Sequence, residues 1–69
     1  MRFDKSQEPH KRIRVLRVLR DMTQAELAEK MGCDQQSVSD WEVGKHDVSD
    51  LYRDKMASAL GVEPKDIWG

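Results

Sequence analysis

A chain of 69 residues with 38% hydrophobic content can form one domain with one modest core, and it is too apolar for an extended disordered segment. The net charge of -1 hides an uneven distribution, because residues 1–20 carry seven Lys or Arg against two acids, whereas residues 21–69 carry five against eleven. We expect a flexible N-terminal arm over residues 1–8 and a single folded domain over residues 9–69.

Several classes of protein are excluded at this stage. No apolar run approaches the length of a membrane helix, and the N-terminal residues lack the apolar stretch of a secretory signal, so we expect a cytoplasmic protein with no membrane contact. Cys33, His10 and His46 supply too few ligands, at the wrong spacing, for a metal site. No nucleophile, base and orienting acid form a catalytic set, so we expect no enzyme, no cofactor and no small-molecule ligand.

The first helix is predicted from a proline and from apolar spacing. Pro9 suits the first turn of a helix, and side chains then recur at helical spacing, at Ile13, Leu16 and Leu19 or Arg20. We therefore expect a helix over about residues 9–20. Asp21 and the next residue then turn the chain.

Two short amphipathic segments follow within residues 24–45, hinged on Gly32. Thr23 and Glu26 have the spacing of a capping box, and Gly32 most readily adopts the left-handed backbone that ends a helix. Asp34 can cap the next helix, which Gly44 closes. The residues expected to face the core are Ala25, Leu27, Ala28, Met31, Val38 and Trp41. Two helices meeting across a tight turn can place the second one in the major groove of DNA.

Two further helices are predicted in the C-terminal third. The helical stripe that indicates the fourth helix consists of Val48, Leu51 or Tyr52, Met56, Ala59 and Leu60. Gly61 ends this helix, and Glu63-Pro64 opens a short fifth helix carrying Ile67 and Trp68. The expected fold is therefore all-α, a compact bundle of five short helices.

A string of residues over about two-thirds of the chain carries a resemblance to a known family. It comprises Thr23-Gln24, Glu26-Leu27-Ala28, Gly32, Gln35-Gln36-Ser37, Trp41-Glu42, Gly44-Lys45 and Ala59-Leu60-Gly61-Val62. The string resembles the phage repressor and Cro-type (XRE-like) helix-turn-helix family, most closely the 434-type repressors. This resemblance implies a lambda-repressor-like DNA-binding domain, with the helix-turn-helix formed by helices two and three. It also implies a bacterial or prophage transcriptional regulator, expected to repress, which reads a pseudo-palindromic double-stranded DNA operator as a homodimer.

The outward face of the third helix supplies the expected base contacts, which are Gln35, Gln36, Ser39 and Asp40. A Gln amide presents a donor and an acceptor side by side, matching N7 and N6 of adenine, so Gln35 is the first candidate reader and Gln36 the second. The resemblance points to the same pair. Asp40 has two open roles, accepting from a cytosine N4 amine or repelling non-specific DNA.

Other polar residues are expected to hold the DNA backbone. By resemblance, Gln24 at the first turn of the second helix meets a phosphate together with the amides of that helix end. The further backbone candidates are Ser37, Lys45, His46, Arg12 and Arg14. For these cations an ordinary solvated surface role is an equal alternative.

Two other groups of residues are assigned by the resemblance. Arg17 and Glu42 match a partly buried ion pair between the first and third helices, which is structural. Relatives use the C-terminal region near their two-fold contact, so Tyr52, Ile67 and Trp68 are the expected dimer contacts. For Trp68, covering the monomer's own core is the alternative.

The chain departs from its relatives in charge on the expected DNA side. Asp34 and Asp40 place carboxylates near a polyanion, Val43 replaces a polar residue, and the loop over residues 45–50 is acidic. We therefore expect weak non-specific DNA binding with a shallow dependence on salt. The same acidity keeps a second hypothesis open, a protein-interaction module of antirepressor or antitoxin type with little or no DNA binding.

Overall fold

The computed structural model describes residues 8–69, so the predicted arm, apart from Glu8, lies outside the described residues. The helices are α1 (Pro9–Leu19), α2 (Gln24–Met31), α3 (Gln35–Glu42), α4 (Asp50–Leu60) and α5 (Pro64–Trp68). No strand occurs over residues 8–69, and the predicted bundle of five short helices is confirmed. Over the same range, no helix combines the length and apolarity that crossing a bilayer requires.

One hydrophobic core joins all five helices. Helix α2 packs against α3 and α4, α1 packs against α3 and α5, and α4 also contacts α5. The core residues are Ile13, Leu16, Leu27, Ala28, Met31, Val38, Trp41, Val48, Met56, Leu60 and Ile67. Helices of 5 to 11 residues are marginal in isolation, so these helices depend on the shared core for stability.

Both ends of α2 and the start of α3 have the caps that were predicted. Thr23 Oγ1 accepts from the amide of Glu26 at 3.1 Å, and Glu26 Oε1 accepts from the amide of Thr23 at 3.0 Å. Gly32 has φ +72°, in the left-handed region, and Asp34 Oδ1 accepts from the amide of Ser37 at 3.0 Å. The start of α2, its end and the start of α3 are therefore set by local side-chain chemistry.

Helix α3 ends slightly before its predicted glycine. Its last residue is Glu42, Val43 is the C-cap, and Gly44 follows with φ +78°. A Cβ at Gly44 would also lie 3.3 Å from the imidazole of His10, so a larger residue would strain the backbone and crowd α1.

The first and fourth helices differ in detail from the predicted apolar stripes. Leu19 is 50% exposed, whereas Arg20, at the alternative position, donates from Nε to the carbonyl of Leu60 at 2.9 Å. Leu51 is 71% exposed, and Tyr52 packs against the core in its place. Ala57 is more deeply buried than Ala59. Residues 52, 56 and 60 are spaced four apart in α4, so they share its inner face.

The predicted dimer role of Ile67 is wrong. Its side chain is fully buried in the core, where α5 packs against α1 and α4. A fully buried residue stabilises the monomer and presents no surface to a partner. Helix α5 is thus an integral part of the domain.

Trp41→Ala should lower the free energy of unfolding by about 3–5 kcal/mol, because the indole fills the core and leaves a cavity when truncated. The Trp41 and Tyr52 rings pack with centroids 5.6 Å apart, so truncating Trp41 also removes a contact with α4. Urea unfolding followed by circular dichroism measures the change. Leu51→Ala, at an exposed site, is the matched control and should stay within about 0.5 kcal/mol of the parent. Equal stability of both variants would contradict the account.

Candidate nucleic-acid interface

The first turn of α3 presents two glutamine side chains to solvent. Gln35 and Gln36 are both exposed, while Ser39 and Asp40, about one turn further on, are half-buried. Among residues 8–69, no hydrogen bond engages the side chain of Gln35. Gln36 Nε2, in contrast, donates to Asp40 Oδ1 at 3.0 Å. The two glutamines are therefore chemically different, since one amide is unengaged and the other is oriented by a carboxylate.

A buried carboxylate fixes the position of α3. Glu42 is 6% exposed, and its two oxygens accept from Arg17 Nε at 2.6 Å and Nη2 at 3.1 Å. Arg17 Nη1 also donates to the carbonyl of Met22 at 2.7 Å. The hydrogen bond to Glu42 raises the pKa of Arg17 above its ordinary value, so the guanidinium stays charged. The structure thus brings together the pair that the resemblance assigned and ties α1 to α3.

The same carboxylate engages Gln24 at the start of α2. Gln24 Nε2 donates to Glu42 Oε1 at 3.2 Å, so the side chain expected at a phosphate contacts α3. The capping box uses the amides of Thr23 and Glu26, whereas the amides of Gln24 and Ala25 belong to the first helical turn, which has no intrahelical acceptors. The hydrogen-bond donors that this helix end leaves available are therefore backbone N–H groups.

Negative charge lies at the beginnings of α2 and α3. Hydrogen bonding, chiefly from the Thr23 amide, holds the pKa of the Glu26 carboxyl below its usual value. Bonds from the hydroxyl and the amide of Ser37 lower the pKa of Asp34 in the same way. Ser37 Oγ donates to Asp34 Oδ1 at 2.8 Å, so this hydroxyl serves the helix cap. Both caps are ionised at neutral pH, and they oppose the approach of phosphates.

The predicted backbone cations fall into two groups. Arg14, Lys45 and His46 are exposed. Arg12 is half-buried, and its Nη1 donates to the carbonyl of Ile67 at 3.1 Å, which joins α1 to α5. Arg12 therefore has a structural contact that its sequence position did not reveal.

The two aromatic residues expected at a dimer contact are half-buried within the domain. Tyr52 packs against Trp41, and the guanidinium of Arg53 lies 5.0 Å from the centroid of the Trp68 ring. Trp68 also packs against the core, as the alternative reading of this residue supposed. Both residues remain partly exposed.

The cysteine and histidine residues belong to no metal-binding cluster in the described part of the chain. No group of three or more His, Cys, Asp or Glu side chains lies close enough together there to hold a metal ion. Burial raises the pKa of the Cys33 thiol, which disfavours the reactive thiolate.

An apolar groove, which was not predicted from the sequence, lies between α1 and the end of α3. Val18, Leu19 and Val43 are 55%, 50% and 69% exposed, and all three line this groove together with half-buried Val15. The signal was present, because residues 15, 18 and 19 have the i, i+3, i+4 spacing of a second apolar stripe on α1.

A family model, a sequence relative and solved structures each match most of this chain. The family model for the helix-turn-helix matches residues 13–67. An uncharacterized HTH-type transcriptional regulator of Methanocaldococcus jannaschii is 35% identical over 57 residues, covering 83% of this chain and 86% of the relative. The restriction-modification controller protein C.AhdI from Aeromonas hydrophila superposes with a TM-score of 0.83 at 33% identity, over 87% of this chain and 91% of that one. The P22 c2 repressor, solved with a synthetic operator, has a TM-score of 0.88 at 24% identity, over 91% and 96%.

The family model spans most of the chain, so this protein belongs to the helix-turn-helix family, of the phage repressor and Cro type. It is a DNA-binding transcription regulator. The resemblance inferred from the residue string is confirmed.

Arg17→Leu should lower the free energy of unfolding by about 3–5 kcal/mol, because it leaves the buried Glu42 carboxylate uncompensated. Arg17→Leu with Glu42→Leu should cost less than the sum of the single changes, since the double variant buries no charge. Guanidinium titrations of the parent, both single variants and the double variant measure the coupling. Strictly additive losses would show that the pair contributes nothing as a pair.

Proposed function

We propose that this regulator binds a pseudo-palindromic operator as a homodimer and represses transcription by occupying it. The observation that carries the proposal is the exposed first turn of α3, where the amide of Gln35 is unengaged on a helix held by the Arg17–Glu42 pair. An element that reads bases needs both properties, since its donors must be free and its placement fixed. Its place of action is the cytoplasm, where operator DNA is accessible.

Gln35 is the proposed direct reader of adenine. Its amide can accept from N6 and donate to N7 at the same time, which selects adenine over the other bases. The Gln35 side chain has no hydrogen bond to another group in residues 8–69, so none must be broken before it contacts adenine. Gln35 should therefore contribute base discrimination without contributing to stability.

Gln36 and Asp40 are proposed to act as one acceptor-rich unit. The bond between them uses one N–H of Gln36 and leaves the Gln36 carbonyl and the second Asp40 oxygen as acceptors. Such a unit suits an exposed base amine, the cytosine N4 group above all, and it is unfavourable beside guanine O6. Ser39, which is half-buried, is a secondary candidate.

The backbone contacts are proposed at the edges of the helix-turn-helix. The first-turn amides of α2 face one phosphate, with Gln24 steered by Glu42, and Lys45, His46 and Arg14 are free to meet others. Arg12 and Ser37 are not proposed as phosphate contacts. Arg12 donates to the carbonyl of Ile67, and the Ser37 hydroxyl donates to the carboxylate of Asp34.

The proposed dimer follows from the small reach of one recognition helix. A single α3 reads only a few base pairs, whereas two copies one DNA turn apart multiply the discrimination. Tyr52 and Trp68 are the remaining candidates for the contact, because both residues are only half-buried in the monomer. Charge from the Glu26 and Asp34 caps keeps non-specific attraction low, so occupancy depends on base contacts.

Selection from a random duplex library tests the proposal. The parent chain should enrich a two-fold motif with half-sites about one helical turn apart, and its mass on that duplex should be that of a dimer. Gln35→Ala should keep the parent's melting curve but lose about 1–3 kcal/mol of specificity at one base pair of each half-site. Enrichment of no sequence by the folded parent would overturn the proposal and favour the protein-interaction alternative. An unchanged motif would remove Gln35 from the readers.

A further inference from the structure

We propose that the groove between α1 and the end of α3 is a docking site for an acidic amphipathic helix of another protein. The groove is defined by Val15, Val18, Leu19 and Val43 as its apolar floor, with Lys11 and Arg14 along its rim. This function goes beyond operator binding, since it gives the regulator a protein partner. Its main test uses peptides in the absence of DNA, and duplex binding is measured only to exclude DNA as the occupant.

Most of the strongly exposed large hydrophobic side chains of residues 8–69 lie together in this groove. Residues 8–69 contain four large hydrophobic side chains that are strongly exposed, and Val18, Leu19 and Val43 are three of them. All three line one groove, whereas the fourth, Leu51, does not. Scattered exposed apolar residues are ordinary, but a contiguous set beside polar residues is typical of a protein contact.

The positive charge of the rim determines the sign of the charge expected on the partner. Helix α1 has no acidic residue, and Lys11 and Arg14 are exposed beside the floor. The one carboxylate at the groove, that of Glu42, is occupied by Arg17 and Gln24 and faces the domain interior. A partner with an apolar stripe flanked by Asp or Glu therefore complements both the floor and the rim.

A second copy of this chain fits the groove less well. A two-fold contact through α1 would bring the basic residues of one α1 against those of the other, with no acid on either helix to compensate. The floor does not suit nucleic acid, because Val18, Leu19 and Val43 offer a phosphate no hydrogen-bond donor. The rim cations can bind a phosphate as well as a carboxylate, so the floor is what favours a protein partner.

The shape indicates a helical occupant. The floor residues on α1 span about 6 Å along its C-terminal half, and the lining from Lys11 to Leu19 spans about 12 Å of one side of the helix. Val43 contributes to the floor from the end of α3. A helix of roughly 11–15 residues could lay apolar side chains at i, i+3, i+4 and i+7 along that line. An extended strand would find no free sheet edge here, because residues 8–69 contain no strand.

Display selection with the parent chain identifies the occupant's chemistry. A phage library of helix-forming peptides of about 15 residues is selected on the full chain, with the variant Val18→Ser present in excess as a soluble competitor. Enriched peptides should carry net negative charge and one apolar stripe. Their affinity, measured by fluorescence anisotropy on the synthetic peptides, should fall about tenfold or more with Val18→Ser and with Lys11→Glu.

Leu51→Ser is the matched control, because Leu51 is as exposed as the groove residues but lies on α4. It should bind the peptides as the parent does. Serine and valine have similar helix propensities, and melting curves verify that each variant is folded.

Several results would overturn the docking proposal. They include enrichment of no peptide, enrichment of neutral or basic peptides, or equal binding by Val18→Ser and the parent. A parent dimer in solution that Val18→Ser dissociates would assign the groove to a second copy. Weaker duplex binding by Val18→Ser, with no peptide enriched, would assign it to DNA.

Discussion

The buried carboxylate of Glu42 holds three helices at once, and the orientation of α3 depends on it. Its oxygens accept from Arg17 on α1 and from Gln24 on α2, while the residue itself is the last of α3. Coulombic attraction here must offset the desolvation of two charged groups, so the arrangement contributes geometry more than net stability. The consequence is a rigid corner whose exposed first turn of α3 projects Gln35.

Much of this fold was predictable because its signals are local. The capping box of Thr23 and Glu26, the left-handed Gly32 and the cap of Asp34 each act within four residues, and the structure has all three. Helix order and fold class followed from these caps together with apolar spacing. The resemblance then placed Arg17 beside Glu42, although these residues are 25 positions apart and no local pattern links them.

What could not be predicted depends on tertiary contacts. Leu19 and Leu51 satisfy helical spacing but are exposed, because the rotation of each helix is set by its neighbours and not by its own sequence. Arg12 resembled a surface cation until α5 placed the carbonyl of Ile67 within its reach. The engagement of Gln36 by Asp40 depends on rotamers, which residue types do not specify. The exposed face of α3 thus has a predictable location and an unpredicted internal hydrogen bond.

A coupling measurement between Gln35 and one adenine of the selected operator tests the central claim most directly. 7-Deazaadenine lacks the N7 acceptor, so substituting it at the contacted position should weaken the parent by about 1 kcal/mol or more and leave Gln35→Ala unaffected. Such coupling would place the Gln35 amide at that base edge in the major groove. Equal losses for both proteins at every adenine of the half-site would contradict the account, since Gln35 would then touch none of them.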